Sequence, residues 1–109
     1  MFLELRKYRI FPGKMDQYVK WMEEVIIPEQ TALGVGIVGS FVGQDEGEEE
    51  DVYVWIRRWD TQAQFDAFNS TYYYTDQWRN ERRPMVDAMN DLDRAVVTFL
   101  EPTASSSIQ

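Results

Sequence analysis

The alternation of apolar and polar residues is clearest at residues 51–59, where it predicts a β-strand. Neighbouring side chains of a strand point to opposite faces, so Val52, Val54 and Ile56 share one face. The other face carries Tyr53, Trp55, Arg57 and Trp59. This second face combines large aromatic rings with a guanidinium group, which an ordinary core does not require. We therefore expect the function of the chain to depend on what covers this face.

Three further strands and two helical regions follow from the same kind of pattern. The strands are predicted at residues 2–10, 36–43 and 92–101. With the helices between them the order is β-α-β-β-α-β, which predicts an α+β chain with the ferredoxin-like fold. Such a chain forms a four-stranded antiparallel sheet with helices on one face, and its first and third strands are the adjacent central pair.

The two helical regions are predicted from spacing and capping signals. The first begins near Met15, where apolar residues start to recur at helical spacing, and Pro28 is expected to kink or stop it. The second begins at an N-cap on Asp60 or Thr61, with Thr61 and Gln64 matching a capping box, is interrupted, and resumes over 76–89. The restriction on the residue before Pro84 is expected to break it again.

One domain is predicted at residues 1–101, followed by a polar tail at residues 102–109 that we expect to be disordered. Two helices can cover only one face of the sheet, and we assign them the aliphatic face, which carries Leu3, Leu5, Val52, Val54 and Ile56. The aromatic face would then form an apolar patch larger than a monomer usually exposes. We therefore predict a homodimer in which the sheet faces of two copies meet.

Composition and charge exclude several classes of function. The 109 residues carry a formal net charge of −8, which disfavours nucleic acid and anionic membranes as partners. No apolar run is long enough to cross a membrane, and the N-terminus has charge too early for a secretory signal. The chain has no cysteine and no histidine, so disulfides, thiol chemistry, the usual zinc sites and histidine-based nucleophiles are excluded. We expect a cytoplasmic protein.

Several segments together resemble the NIPSNAP family of the dimeric α/β-barrel superfamily. They are the opening Leu-Glu-Leu-Arg-Lys-Tyr-Arg-Ile at residues 3–10, then Pro12-Gly13-Lys14, Trp21, Val54-Trp55 with Asp60, and Trp78 before Arg83-Pro84. The resemblance covers residues 3–101. It implies two ferredoxin-like protomers joined into a barrel, with a cavity enclosed by each sheet. Superfamily members include cofactor-independent monooxygenases, haem-degrading enzymes and lactone isomerases, whereas NIPSNAP proteins have no agreed activity. The haem branches generally use a histidine, which this chain lacks.

Six residues at aromatic-face positions of the two central strands are candidates for ligand binding: Glu4, Arg6, Tyr8, Tyr53, Trp55 and Arg57. In one interpretation an arginine holds an oxygen anion while aromatic walls stack on a flat ligand. In the other, Glu4 pairs with an arginine and the cluster only orders the core. Two arginines against one acid leave a surplus positive charge, which keeps the ligand interpretation open.

Two functions are carried forward. The first is a NIPSNAP-like homodimer that binds a small acidic or aromatic molecule in its inner cavity. The alternative is a cofactor-independent monooxygenase or isomerase acting on a small aromatic or polyketide-like substrate, with Arg6 or Arg57 stabilising an enolate or phenolate and Tyr8 or Tyr53 relaying a proton. That enzyme lacks an obvious base, since Glu4 is the only carboxylate on this face. No cofactor or metal is predicted, and catalytic residues are not assigned.

Three motifs receive structural interpretations. The glycines at 34, 36 and 39 match the dinucleotide pattern G-x-G-x-x-G, but they lead into a strand instead of opening a helix. The acids between residues 45 and 51 do not have calcium-loop spacing and predict a solvated hairpin loop. The tyrosines at 72–74 are interpreted either as a lid over the barrel mouth or as packing under an irregular connection.

Overall fold

The computed structural model describes residues 1–109. The strands are β1 (Phe2–Ile10), β2 (Gly36–Gln44), β3 (Asp51–Trp59) and β4 (Asn90–Leu100). The helices are α1 (Met15–Trp21), α2 (Ile27–Ala32), α3 (Gln62–Asn69) and α4 (Arg83–Met89). Shorter helical turns occur at Met22–Ile26, Tyr72–Tyr74 and Trp78–Arg82. All four predicted strands are confirmed, and β4 begins two residues earlier than predicted.

The sheet has the strand order β2-β3-β1-β4, and every pair is antiparallel. The first and third strands therefore form the central pair, as predicted for a ferredoxin-like chain. Their register places Glu4 opposite Arg57 and Arg6 opposite Trp55. Residues that lie directly opposite each other point to the same face of the sheet, so these four side chains share one face.

Both predicted helical regions contain a π-helical turn, and neither of their prolines stops the helix. Residues 15–32 are helical throughout, with a π turn at Met22–Ile26, and residues 76–89 are helical with a π turn at Trp78–Arg82. The predicted break near Pro84 is wrong. Pro28 and Pro84 are each the second residue after a π turn. The π turn shifts the hydrogen-bond pattern by one residue. The proline, which has no N–H to donate, then lies in the first turn of the next α-helical segment, where proline is tolerated.

The remaining turn signals act as expected. The Thr61 hydroxyl accepts a hydrogen bond from the Gln64 backbone N–H at 3.1 Å and caps α3. Gly34 ends the first helical region with a φ of +90°, a conformation that glycine adopts without steric cost. Residues 102–109 contain a turn closed by the Ser106 N–H on the Thr103 carbonyl at 3.0 Å. The disorder expected for them stays a prediction.

The helices cover the aromatic face of the sheet, and the assignment made from the sequence is therefore wrong. Tyr8, Tyr53 and Trp55 form one buried core with helical side chains that include Tyr18 and Met22. Tyr53, Arg57 and Trp59 are 0% exposed within a single chain. The polar side chains of this face find partners there: Trp59 and Tyr53 bond within the sheet, and the Arg57 guanidinium bonds to Gln30 on α2.

The opposite face of the sheet carries the aliphatic residues and no helix. Leu5, Val54 and Ile56 are only partly buried there and lie outside the core. Three large side chains on this face are exposed in the single chain, namely Phe41, Val96 and Leu100. We call this surface the open sheet face. No helix is long and apolar enough to span a membrane.

Candidate functional site

A cavity of about 510 Å³ lies between the sheet and the helices of the single chain. This volume falls within the range of roughly 300–1,000 Å³ that is typical of small-molecule sites. The sheet forms its floor and contributes Arg6, Tyr8, Trp55, Asn90 and Leu92. The cavity is therefore complete without a second copy of the chain.

The two helical regions form the walls. The first, residues 15–32, contributes Tyr18, Trp21, Met22, Ile26 and Gln30. The second, which runs from α3 to α4, contributes Asn69, Tyr73, Tyr74, Trp78, Arg83 and Val86. Three tryptophans and four tyrosines face the cavity, so a flat ligand would find aromatic surface on several sides.

A buried ion cluster lies beside the cavity and is centred on the Glu4 carboxylate, which is 0% exposed. Glu4 Oε2 accepts a hydrogen bond from Arg6 Nε at 2.8 Å. Glu4 Oε1 accepts from Arg57 Nε at 2.9 Å and from Trp59 Nε1 at 3.1 Å. Two arginines surround one carboxylate, so the cluster carries a net charge of +1.

Arg57 is held from several sides. Its Nη1 donates to Gln30 Oε1 and to the Tyr73 hydroxyl, each at 3.0 Å. Its Nη2 lies 2.7 Å from Glu4 Oε1, close enough for ion pairing, but without the alignment of a hydrogen bond. The guanidinium also lies over the ring of Trp55 at 4.9 Å. These contacts join the sheet to both helical regions.

Arg6 presents its charge to the cavity. Its hydrogen bond to Glu4 uses only Nε, so the terminal nitrogens remain available to a ligand. Burial alone would lower the pKa of Arg6, but charge interactions with Tyr8 and Glu4 together raise it. Arg6 is therefore a permanent cation at the cavity surface.

Tyr8 and Tyr18, two phenols of the cavity, remain protonated at neutral pH. Burial raises the pKa of Tyr8, although Arg6 and the hydrogen bond from Trp55 Nε1 oppose that shift. Burial raises the pKa of Tyr18 well above its ordinary value. Both hydroxyls are thus hydrogen-bond donors and not proton acceptors.

No carboxylate lines the cavity, although the chain has 19 acids against 11 bases. The charged groups at its surface are Arg6 and, at the mouth, the half-exposed Arg83, which pairs with Asp87. The positive lining and the phenolic donors are complementary to an oxygen anion.

A general base is missing from the cavity. Both oxygens of Glu4 are occupied by its neighbours, and Glu4 does not line the cavity. No group of three or more acidic side chains is arranged to hold a metal ion. The arrangement can bind and orient an anion and can stabilise negative charge, but it places no side chain to remove a proton.

Comparisons with known proteins agree with the resemblance seen in the sequence. The family model for NIPSNAP matches residues 3–107. The chain belongs to the NIPSNAP family. No curated protein matches it.

Solved NIPSNAP structures share the fold. A NIPSNAP family protein of unknown function from Agrobacterium tumefaciens is 23% identical, with a TM-score of 0.78, and the match covers 100% of this chain and 94% of that one. An uncharacterised NIPSNAP domain protein from Burkholderia xenovorans is 20% identical, with a TM-score of 0.75 and coverage of 97% and 98%. A protein named as an antibiotic biosynthesis monooxygenase is more distant, with 17% identity, a TM-score of 0.59 and coverage of 94% and 99%.

In this NIPSNAP chain the six predicted site residues separate into two groups. Arg6, Tyr8 and Trp55 line the cavity. The other three, Glu4, Tyr53 and Arg57, are buried and do not line it. The Tyr53 hydroxyl bonds to Ser40 at the edge strand, 2.5 Å away. The register brings all six side chains to one face, and the helices determine which of them a ligand can reach.

The sequence interpretation missed several cavity residues on other elements. Tyr18 and Gln30 lie on helices, whereas the site was predicted from the strand pattern alone. Asn90 is the first residue of β4, which was predicted to begin two residues later. The one available signal was helical spacing: Gln30 lies four residues after Ile26, and both side chains are buried.

The three consecutive tyrosines divide between packing and the cavity mouth. Tyr72 is buried, stacks on Phe68 at 4.9 Å, and donates to Glu29 Oε1 at 2.7 Å. The Tyr73 hydroxyl accepts from Arg57, and Tyr74 is 65% exposed beside the cavity. Packing therefore accounts for Tyr72, and a lid role for the segment stays a prediction.

Proposed function

We propose that this NIPSNAP chain binds a small aromatic anion in the cavity between its own sheet and helices. The observation that supports this most strongly is the lining, which has an available arginine and no carboxylate in a chain of net charge −8. Arg6 pairs with Glu4 through Nε alone, and its terminal nitrogens make no hydrogen bond within the chain. A ligand carboxylate, phenolate or enolate would complete the hydrogen bonds of that guanidinium.

The aromatic walls define the rest of the ligand. Trp55 lies on the floor, and Trp21 and Trp78 lie on the two helical walls. Flat rings bury large apolar area against such surfaces and gain from offset or edge-on stacking. The ligand is therefore an aromatic acid or a phenolic anion, with its charge at Arg6.

The contribution of Arg6 to the binding free energy of an anionic ligand can be estimated. A hydrogen bond to a charged group contributes about 1.5–3 kcal/mol. Since 1.4 kcal/mol corresponds to a tenfold change in affinity, removing the Arg6 contact should weaken binding by roughly 10- to 100-fold.

Calorimetric titration of biphenyl-4-carboxylate and of its neutral carboxamide tests this proposal. The wild-type chain should bind the acid at least about tenfold more tightly than the amide. Arg6→Met should remove that preference, whereas Arg94→Met, at an exposed pair with Glu50, should preserve it. Thermal unfolding of each variant establishes that it is folded. Equal affinity of the wild type for acid and amide would contradict the proposal.

A homodimer through the open sheet faces is part of the same proposal. The exposed aliphatic and aromatic side chains there are the kind of surface that a second copy would bury. The family's barrel architecture supports the same partner. The interface would use the opposite face from the one expected from the sequence, so the cavity of each copy would be lined by residues of that copy alone.

The alternative function, a cofactor-independent oxygenase or isomerase, is supported by the fold likeness to the protein named as an antibiotic biosynthesis monooxygenase. Arg6 and Tyr8 are suitable donors for an enolate or phenolate. The missing base restricts such an enzyme to substrates that are already ionised at neutral pH. Oxygen uptake with an ionised polyphenol would favour this alternative, and binding without turnover would favour the binding protein.

A further inference from the structure

A second polar feature of the cavity is a buried pair formed by Tyr18 and Asn90. Both side chains are 2% exposed, and both line the cavity. Asn90 Nδ2 donates to the Tyr18 hydroxyl oxygen at 3.2 Å. Asn90 Oδ1 has no hydrogen-bond partner in the protein, although it is fully buried. Buried amide oxygens are nearly always paired, so this one requires a partner from elsewhere.

The pair offers one donor and one acceptor to the cavity. The Tyr18 hydroxyl already accepts a hydrogen bond, so its own proton is free to be donated, and burial keeps that proton in place by raising the pKa of Tyr18. Asn90 Oδ1 supplies the acceptor; because it is fully covered in the single chain, the side chains around it must shift for a ligand to reach it. Turning the amide by 180° preserves this complementarity, because Nδ2 then becomes the donor and the Tyr18 oxygen the acceptor.

A hydroxyl group matches this pair because it both donates and accepts. We infer that Tyr18 and Asn90 form a subsite for a hydroxyl on the ligand, an inference that rests on the proposed binding of an aromatic anion at Arg6. A methyl or a ring hydrogen at the same place would leave buried polar atoms unpaired, which is costly.

The position of the pair defines the length of the ligand. Asn90 lies opposite Ile10 in the β1–β4 register, and Ile10 is four residues beyond Arg6 on the same strand. At about 3.4 Å per residue, that is roughly 14 Å along the floor of the cavity. Tyr8 and its partner Trp55 lie between these two ends. The ligand is therefore an elongated aromatic acid with a phenolic hydroxyl at the end away from the acid.

A matched pair of probes tests the subsite: 4′-hydroxybiphenyl-4-carboxylate and biphenyl-4-carboxylate, titrated by calorimetry. In the wild type the hydroxyl should increase affinity about tenfold or more, as expected for a buried site that pairs with it. Asn90→Leu and Tyr18→Phe should each reduce that gain to less than about threefold. The gain is the ratio of two affinities measured in the same variant, so a general effect of either substitution on binding to the cavity cancels. Tyr18→Phe removes a single oxygen, so it tests the subsite even if Asn90→Leu does not fold.

The control is Tyr72→Phe, which removes a buried phenol hydroxyl outside the cavity and should leave the gain unchanged. Equal wild-type affinity for both acids would overturn the subsite while leaving the aromatic-anion proposal intact. A hydroxyl gain that persists in both subsite variants would overturn it as well. If the wild type binds neither acid, the proposed function itself fails, and the subsite with it.

Discussion

The Glu4 carboxylate connects the interior of the molecule at the level of single residues. It accepts hydrogen bonds from Arg6, Arg57 and Trp59, and Arg57 carries the connection on to Gln30 and Tyr73. The two arginines that the sequence interpretations treated together therefore have different surroundings. Arg57 orders the core, and Arg6 faces the cavity.

Glu4→Gln should destabilise the fold. The substitution removes the only negative charge between the buried Arg57 and the partly buried Arg6, and breaking a buried pair in this way typically costs about 3 kcal/mol or more. Urea denaturation measures the change in the free energy of unfolding. Glu50→Gln is the matched control, because its pair with Arg94 is exposed and its loss should be almost without effect. Comparable losses in the two variants would show that the Glu4 cluster is not a structural centre.

The buried tyrosines predict a loss of stability in alkali. Burial raises the pKa of Tyr8 and Tyr18 above 10.0, and raises that of Tyr53 to about 12. Above pH 10 the unfolded chain releases these protons while the folded chain keeps them, so stability falls as pH rises. In that range each such group lowers the free energy of unfolding by about 1 kcal/mol per pH unit, and near neutrality it has no effect on the pH dependence. Urea midpoints from pH 9 to 11 should fall less steeply for Tyr18→Phe than for the wild type; parallel slopes would contradict the burial of Tyr18.

At the level of elements, β3 shows how far a sequence pattern reaches. Alternation correctly groups the residues of its two faces and gives the strand bounds Asp51–Trp59. It does not identify the side that the helices cover, because both faces are apolar: Val52 and Tyr53 are both buried in the single chain. The deciding contacts, such as Arg57 with Gln30, join residues distant in sequence. The same limitation concealed Tyr18 and Asn90.

Helix α3 begins at a cap that the sequence predicts. Thr61 caps its first turn through a side-chain hydrogen bond. Thr61→Ala should lower the free energy of unfolding by about 1 kcal/mol, and Thr61→Ser should retain most of the wild-type value. Equal stability of all three chains in urea would show that the cap does not contribute.

At the level of the whole molecule, the two faces of the sheet have different surroundings. The aromatic face and the chain's own helices enclose the cavity, and we propose that the open sheet face binds a second copy. Neighbouring residues on β2 allow this division to be tested, because Phe41 is 52% exposed on the open sheet face and Val42 is 53% exposed on the other face.

Light scattering of the wild type and of two variants measures their masses in solution, and hence whether each is a dimer. The wild type should have about twice the 12.9 kDa mass of the chain. Phe41→Lys should shift it toward the monomer because it places charge in the interface, whereas Val42→Lys should remain a dimer. A monomeric wild type, or equal effects of the two substitutions, would contradict the proposed interface.

The central claim is that the ligand lies within one chain, between the sheet and its helices. A crystal structure of the protein with biphenyl-4-carboxylate tests it most directly. We expect the carboxylate to be hydrogen-bonded to Arg6 and the rings to lie between Trp55 and the helical wall that carries Trp21. A molecule seated between the sheets of two copies, or one whose carboxylate lies away from Arg6, would contradict it.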